Sequence, residues 1–299
     1  MKTLLSRILT VTAIAVSALI VPFCKKDTSN STTSGFAVSL SSSSIYGQYL
    51  VDKDGYTLYY FSNDYNGRSS CNGACTQMWP PFYVSGLTAA NLGPGLDIAD
   101  FDTIQVNGVP QLRYKSWPLY YYAPANGGNN LREPAGQING EGYSDIWYIA
   151  KPDYSIMLEN AQLVGGDNQD YKGDYSRGTG TTIFFTDDRG RTLYTFSKDT
   201  LNHNTFTKSD FSNNSIWPIY GPSTIIVPSS LDKTLFGTID VFGRPQLTYK
   251  GWPLYYFGAD NSRGSTKGVS YPTPGIWPVA VRDMMPASGS SNNTGGGGY

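Results

Sequence analysis

A long internal repeat constrains the fold of this chain more than any other feature. Residues 109–122, VPQLRYKSWPLYYY, return 135 residues later as residues 244–257, RPQLTYKGWPLYYF. The same offset relates residues 54–59 to residues 189–194. A period this long is typical of duplicated domains, because solenoid repeats recur every 20–50 residues or so. Single tryptophans repeat with small drifts of the offset, as Trp79 and Trp217 and as Trp147 and Trp277.

The repeat divides the chain into two copies of one domain. Copy one is predicted at residues 44–151 and copy two at residues 180–283, with a linker at 152–179. Within the linker, residues 155–164 carry apolar side chains that can pack on a domain, and the rest is predicted as a loop. The Ser, Asn and Gly-rich end at residues 284–299 is predicted to be disordered.

Composition and pattern favour strands. The chain has 23 Tyr and 33 Gly, and tyrosine favours strands while glycine favours turns. Each copy contains two similar half-units, each of them a hairpin, and no long stretch has a helical period. The prediction is an all-β chain of two tandem homologous domains of antiparallel β-hairpins. Each domain would be a small sandwich or open barrel, and the alternative is a propeller-like arrangement of the hairpins. The four predicted hairpins lie at residues 46–61, 111–122, 183–196 and 246–257.

All four hairpins end in similar residues, with the pattern Tyr-x-aromatic-x-x-Asp in three of them. In the remaining hairpin, at residues 111–122, the motif begins at Tyr120 and has Ala125 in place of the aspartate. Strand alternation puts the tyrosine and the second aromatic residue on one face, which is predicted to pack in the core. Thr195 replaces a tyrosine on the other face, which predicts partial exposure there. The complete motifs are Tyr59, Phe61 and Asp64; Tyr194, Phe196 and Asp199; and Tyr255, Phe257 and Asp260.

The motif aspartates and four tryptophans each allow two interpretations. The aspartates are predicted to accept hydrogen bonds from backbone amides in the following turn. The alternative is that they help to bind a cation, although calcium needs six or more oxygens. The tryptophans each precede a proline and are predicted to be buried anchors, with exposed stacking surfaces for sugars or bases as the alternative. They are Trp79, Trp117, Trp217 and Trp252.

The Tyr-x-aromatic-x-x-Asp motif resembles the signature of a family of secreted bacterial repeat lipoproteins of unknown function. Further similarities are the Ser-x-Cys-x-Gly-x-Cys-like run at residues 69–75, Trp79-Pro80-Pro81 and residues 111–119. The resemblance covers nearly all of both copies and implies export and lipid anchoring, without an established reaction. Copy two departs from it, because three residues are inserted and no cysteine occurs between the motif aspartate and the next tryptophan.

The N-terminus has the features of an export signal. Two basic residues precede an apolar run that is too short to span a bilayer. Residues 1–23 are therefore predicted to be a signal peptide. Cys24 resembles the lipidated cysteine of a lipobox, although Phe23 stands where a small residue is usual; an ordinary signal peptide cleaved elsewhere is the alternative. Residues 24–43 are predicted to be a flexible tether that holds the protein at the cell envelope, on the outer membrane or the cell surface.

The remaining cysteines, Cys71 and Cys75, are predicted to form a disulfide, because a close pair outside the cytoplasm is usually oxidised. A redox-active dithiol or half of a metal site is the alternative. The single histidine, His203, makes a histidine-dependent triad or a multi-histidine metal site hard to build. No cofactor is predicted, and whether a metal is bound stays open.

Three functions follow in order of preference. The first is a non-catalytic binding or structural module that is membrane-anchored through its lipid and contacts a surface glycan or matrix polymer. The second is an envelope redox or metal-associated protein that uses Cys71 and Cys75 with the aromatic and aspartate motifs. The third is a hydrolase with paired carboxylates, such as Asp64 and Asp199 from separate copies. The net charge of −1 provides no electrostatic footprint for nucleic acid, which is not expected as a partner.

Overall fold

The computed structural model describes residues 35–126 and 128–289, which form short antiparallel strands. Over these residues the predicted all-β class is confirmed, since the strands assemble into small antiparallel sheets and none closes into a barrel. The α-helix of this part is α1 (Ala74–Met78). The strands are β1 (Val38–Ser43), β2 (Gly47–Asp52), β3 (Tyr59–Phe61), β4 (Phe101–Val106), β5 (Val109–Tyr114), β6 (Trp117–Pro118), β7 (Ala125–Asn126), β8 (Asn129–Asn130), β9 (Trp147–Ile149), β10 (Met157–Val164), β11 (Asp170–Tyr171), β12 (Thr181–Thr186), β13 (Phe236–Val241), β14 (Arg244–Tyr249) and β15 (Trp252–Pro253). Single 3-10 turns lie at Ala89–Asn91, Ile98–Asp100, Lys233–Leu235 and Lys267–Ser270.

The same elements recur in both copies. The sheet β4-β5-β6 of copy one corresponds to β13-β14-β15 of copy two. The register is also the same, with Phe101 opposite Tyr114 and Phe236 opposite Tyr249. The hairpin β1-β2 corresponds to the pair β10-β12. The duplication inferred from the sequence is therefore a structural duplication.

The first strand of each copy lies outside the predicted domain boundaries, in a segment that the sequence predicts to be a tether or a linker. β1 falls in the predicted tether and pairs along its whole length with β2. β10 falls in the predicted linker and is the central strand of its sheet, with β12 on one side and β11 on the other. Apolar residues of β10 explain its position, because Met157, Leu158 and Leu163 are buried in the core. At the other end, Ala287 is buried and Leu201 donates its backbone N–H to Ser288 O. Cys24, the predicted signal peptide and residues 290–299 lie outside the described residues.

The two half-units of each copy meet at their motif tyrosines. In copy one, Tyr59 and Tyr120 exchange both backbone N–H···O bonds, at 2.9 and 3.0 Å. In copy two, Tyr194 and Tyr255 do the same at 2.8 and 2.9 Å. An antiparallel pair of equivalent residues that exchange both bonds implies an approximate two-fold axis between the half-units.

A second extended segment flanks each tyrosine. Tyr59 pairs with Ile149, and Tyr120 pairs with Pro81. In copy two the corresponding partners of Tyr194 and Tyr255 are Val279 and Ile219. Each flanking segment follows one of the tryptophans that recur in both copies, which are Trp79, Trp147, Trp217 and Trp277. The centre of each copy is thus four short extended segments with the tyrosine pair in the middle.

The two copies share a hydrophobic core. It includes Tyr60 and Trp117 of copy one together with Leu193 and Phe185 of copy two. Thr195 alternates with Tyr194 along the chain and so lies on the same face as Leu193, towards this core. The prediction that Thr195 is partly exposed is therefore wrong, since its side chain is 1% exposed.

Polar contacts accompany this shared core. Lys115 Nζ lies 2.6 Å from Asp188 Oδ2, and the indole of Trp117 donates to Asp188 O. The guanidinium carbon of Arg263 lies 3.7 Å from the centre of the Trp117 ring. Trp117 is consequently buried between the two copies, as a cation–π partner of Arg263.

Candidate functional site

The motif tyrosines and aspartates form hydrogen bonds across the two-fold axis. In copy two, the hydroxyl of Tyr255 donates to Asp199 Oδ2 at 2.7 Å, and the hydroxyl of Tyr194 donates to Asp260 Oδ2 at 2.6 Å. All four side chains are buried. Each tyrosine therefore bonds the acid of the other half-unit and not the acid of its own motif.

Copy one has the same arrangement with one substituted acid. Tyr120 donates to Asp64 Oδ2 at 2.6 Å, and Tyr59 donates to Glu133 Oε1 at 2.5 Å. Glu133 thus takes the role that is vacant at Ala125, eight residues earlier in the chain. The sequence analysis did not predict this role of Glu133. The available signal was the incomplete motif, which is followed by an acidic residue at a longer spacing.

The second oxygen of each acid is bound by the loop that follows. Asp64 Oδ1 accepts from Ser70 N at 2.7 Å, and Asp199 Oδ1 accepts from Thr205 N at 2.7 Å. Glu133 Oε2 accepts from Asn139 N at 2.8 Å, and Asp260 Oδ1 accepts from Lys267 N at 3.0 Å. These bonds confirm the prediction that the motif aspartates accept from backbone amides of the following loop.

Burial controls the protonation of these acids. It raises the pKa of Asp64 to about 6, against the lowering effect of the bonds from Tyr120 and Ser70. Burial also raises the pKa of Asp199, Asp260 and Glu133, and their tyrosine bonds again oppose the shift. Hydrogen bonds to the charged form are thus what keep these desolvated carboxyls ionisable.

Each copy also contains a buried aromatic stack. The planes of Trp79 and Trp147 are 1° apart, with ring centres separated by 3.9 Å. Phe61 stacks on the outer side of Trp147 at 3.9 Å, and Tyr122 lies against Trp79 at 4.6 Å. The tryptophan of one half-unit therefore contacts the second motif aromatic of the other. The equivalent stack in copy two is Phe196, Trp277, Trp217 and Phe257.

The prediction of buried tryptophans holds at three of four positions. Trp79, Trp217 and Trp117 are buried. Trp252 is partly exposed, and its indole donates to Met285 O. The difference has a physical reason: Trp117 is covered by copy two, whereas the equivalent Trp252 is covered by the short end segment of the chain.

The cysteine pair forms the predicted disulfide. Cys71 and Cys75 are linked, with their Cα atoms 5.3 Å apart. The bridged loop includes the start of α1 and forms one wall of a cleft of about 330 Å³. The cleft is lined by Ser69, Cys71, Asn72, Gly73, Thr76, Pro81, Val106, Asn107, Val109, Gln111 and Tyr120.

Gln111, which lines this cleft, differs in its hydrogen bonds from the equivalent Gln246 of copy two. Its Nε2 donates to Leu119 O at 2.9 Å, and its Oε1 is buried without a hydrogen-bond partner among the described residues. The equivalent Gln246 also donates to a leucine carbonyl, but its Oε1 accepts from Asn204 Nδ2 at 2.7 Å. Ser69 stands at the position of Asn204 in copy one. Gln111 Oε1 is thus a buried acceptor without a partner among the described residues, whereas Asn204 satisfies the equivalent oxygen in copy two.

Two further features bear on a site. Within residues 35–126 and 128–289, no three or more His, Cys, Asp or Glu side chains are grouped so that they could hold a metal ion. Over the same ranges no helix is long and apolar enough to cross a bilayer.

The chain matches the model of a family described as a secreted repeat of unknown function (Lipoprotein_15) over residues 43–83 and again over residues 240–281. No curated protein and no protein of known structure matches the chain. The first match covers the half-unit of Tyr59 and the second covers the half-unit of Tyr255, so the resemblance inferred from the motif is confirmed. The chain therefore matches the model of this secreted repeat twice, once in each half of its duplication.

Proposed function

We propose that this protein is an exported, lipid-anchored and non-catalytic binding module of the cell envelope. In this proposal the two copies provide a stable frame, and copy one provides the binding site. The observation that carries it is that the motif acids form their hydrogen bonds within the fold, whereas copy one has a cleft of about 330 Å³ beside its disulfide.

The burial and hydrogen bonds of the motif acids support a structural role for the motifs. A general acid or base needs to reach a substrate proton. Asp199 and Asp260 are each buried and bonded to a tyrosine and to a backbone amide. Removing them from these bonds would leave buried tyrosine hydroxyls without an acceptor, which is costly. These acids are therefore better placed to stabilise the fold than to transfer a proton in catalysis.

The family supports the location. It is described as secreted, which fits a chain that begins with a signal-like segment. The lipid is proposed to be attached at Cys24, so that the folded body from Val38 onward remains close to the membrane. A surface glycan or matrix polymer is the proposed partner at that location.

Anchoring is tested with Cys24→Ser in the full chain. We expect the wild-type protein to enter the detergent phase on partition of a membrane extract and the variant to stay in the aqueous phase. Mass spectrometry of the N-terminal peptide should show acyl groups on Cys24 only in the wild-type protein. An aqueous wild-type protein without acyl groups would contradict the anchor and favour an ordinary signal peptide cleaved elsewhere.

Binding is tested with the same chain expressed from residue 25 and purified without added metal. Retention on insoluble cell-wall glycan is the expected result. Metal analysis and an ultraviolet–visible spectrum of this sample distinguish the redox or metal alternative. A stoichiometric metal or a chromophore would replace the binding proposal with that alternative.

A further inference from the structure

We propose that copy two binds a neutral glycan through an exposed aromatic cluster, in which a sugar ring stacks on Phe242 and its hydroxyl groups bond Arg244 and Asp240. The side chains of Phe211, Phe242 and Arg244 form this cluster, which we call the phenylalanine platform. None of the three lines the copy-one cleft. The inference rests on the proposed binding function, to which it adds a second contact surface and the class of glycan.

Two chain segments build the phenylalanine platform. Phe242 lies in the turn between β13 and β14, and Phe211 lies in the loop that corresponds to the disulfide loop of copy one. The two rings meet edge to face, with ring centres 6.2 Å apart and ring planes at 88°. The guanidinium carbon of Arg244 lies 3.9 Å from the centre of the Phe211 ring, which is a cation–π contact. The three side chains therefore form one surface.

Phe211 occupies the position that Gly73 has in copy one. Thr76 N donates to Gly73 O at 3.1 Å, and Asn214 N donates to Phe211 O at 3.0 Å, so the two turns contain the same hydrogen bond. Both residues also lie in the left-handed region of the backbone, with φ values of 59° for Gly73 and 56° for Phe211. Copy two thus places a large aromatic residue where copy one has a glycine.

Both phenylalanines of the platform have an unfavourable backbone conformation. Phe242 has a φ value of 50° at the position of Asn107, which has a φ value of 52°. Glycine and asparagine adopt this left-handed conformation readily, whereas a bulky side chain is rarely found in it. Burial does not offset the cost, because Phe242 remains 58% exposed. Contact with a ligand therefore explains the ring of Phe242 better than a role in the fold does.

The polar groups beside the platform favour a neutral ligand. Arg244 is exposed, and its guanidinium has no ion pair or hydrogen bond within the part of the chain that the structure describes. Asp240 is exposed near the same turn, and its Oδ1 accepts from Gly243 N at 3.0 Å. A guanidinium that donates and a carboxylate that accepts suit hydroxyl groups, which do both. Asp240 would repel an acidic polymer or an anionic membrane.

The exposed ring of Phe242 provides the remaining contact that a sugar needs. One face of a pyranose consists mainly of C–H groups, whose positive edges pack on the negative face of an aromatic ring. Its hydroxyl groups project around the edge of the sugar ring and can reach charged neighbours. A neutral glycan therefore uses both the aromatic surface and the two groups of opposite charge.

The test uses the chain from residue 25 with its disulfide intact. It is titrated with neutral hexasaccharides of glucose, N-acetylglucosamine, xylose and mannose, while the backbone amide signals of Phe211 and Phe242 are followed by ¹H–¹⁵N NMR. Hexagalacturonate in the same titration, and phosphatidylglycerol vesicles in a co-sedimentation assay, represent the acidic alternatives. We expect at least one neutral hexasaccharide to shift both signals saturably, and we expect neither acidic probe to bind.

Two variants locate the site by introducing the residues of copy one. Phe242→Asn removes the ring together with the unfavourable conformation, so the affinity should fall at least about tenfold while the melting temperature stays the same or rises. Arg244→Val should weaken binding about threefold to tenfold. Leu131→Asn is the matched control, because it replaces an apolar residue of copy one that is also 58% exposed, and it should bind as the wild type does.

The inference is overturned if no neutral hexasaccharide shifts the two signals, if Phe242→Asn binds as the wild type does, or if an acidic probe binds through the platform. A lower melting temperature of Phe242→Asn would also overturn it, because the ring would then stabilise the fold. If wild type and Phe242→Asn were retained equally on insoluble cell-wall glycan, this site would be removed and the proposed binding function would stand.

Discussion

Tyr255→Phe should destabilise the protein through the loss of a single hydrogen bond. The change removes the hydroxyl that donates to Asp199 Oδ2 at 2.7 Å and keeps the packed ring. Both side chains are buried, and a hydrogen bond to a charged group is worth about 1.5–3 kcal/mol. For a chain of this size we expect the melting temperature to fall by about 4–10 °C.

The assay that tests the geometry is a double-mutant cycle in urea. Tyr255→Phe is combined with Asp199→Asn, its partner across the two-fold axis, and separately with Asp260→Asn, the acid of its own motif. The coupling free energy should be about 1.5 kcal/mol or more for the first pair and below about 0.5 kcal/mol for the second. A linear reading of the motif predicts the reverse order.

A control and a refuting result complete this prediction. Tyr271→Phe removes a hydroxyl from a side chain that is 44% exposed, and it should change the free energy of unfolding by less than about 0.5 kcal/mol. Equal coupling of Tyr255 to Asp199 and to Asp260, or no coupling to either, would refute the reciprocal arrangement of the half-units.

The remaining predictions concern the aromatic stack, a close backbone approach and a buried acid. Trp277→Ala should lower the free energy of unfolding by about 3–5 kcal/mol in urea, and Trp252→Ala by clearly less, because Trp252 is partly exposed. Gly268→Ala should cost about 1–3 kcal/mol in thermal unfolding, because the added Cβ would lie 2.7 Å from a motif tyrosine ring, whereas Gly35→Ala should be neutral. Burial raises the pKa of Glu159 from 4.5 to about 8, so the folded protein keeps a proton that the unfolded chain releases. Stability should therefore fall as the pH rises from about 4.5 to 8, and urea unfolding across this range should show a smaller fall for Glu159→Gln.

The sequence predicted the local structure better than the contacts between segments. The Tyr-x-aromatic-x-x-Asp pattern and strand alternation correctly predicted buried tyrosines and loop-bound acids. They could not predict that Tyr194 bonds Asp260, because a motif is contiguous and this partner is 66 residues away. Glu133 was missed for the same reason, since its role depends on a neighbour across the two-fold axis.

Turn chemistry could have revealed one more hairpin. Asn107 and Gly108 join β4 to β5 with φ values of 52° and 79°, and Asn-Gly is the preferred pair for such a turn. In copy two the same turn is made by Phe242 and Gly243, with φ values of 50° and 84°. Phenylalanine is rare in this conformation, so only the duplication predicts the second turn.

The candidate cleft could be predicted only in part. The cysteine spacing correctly predicted the disulfide that forms one wall. The different surroundings of Gln111 and Gln246 could not be inferred, because both glutamines donate to a leucine carbonyl in the same way. The difference lies at Ser69 and Asn204, which follow their motif acids by five residues, and Asn204 reaches Gln246 only in the folded chain.

The crossed tyrosine–acid bonds have a consequence for how such a chain could arise. A polypeptide with one half-unit would contain a tyrosine without its acid and an acid without its tyrosine. A second identical chain, related by a two-fold axis, supplies both at once, so the smallest self-sufficient form of the repeat is a symmetric homodimer. Joining two such chains makes their association independent of concentration and frees each half to diverge. In copy one, Glu133 takes the place of the motif aspartate in one half-unit only. Such a difference between the half-units requires that they are fused in one chain, because two identical chains would both carry the change.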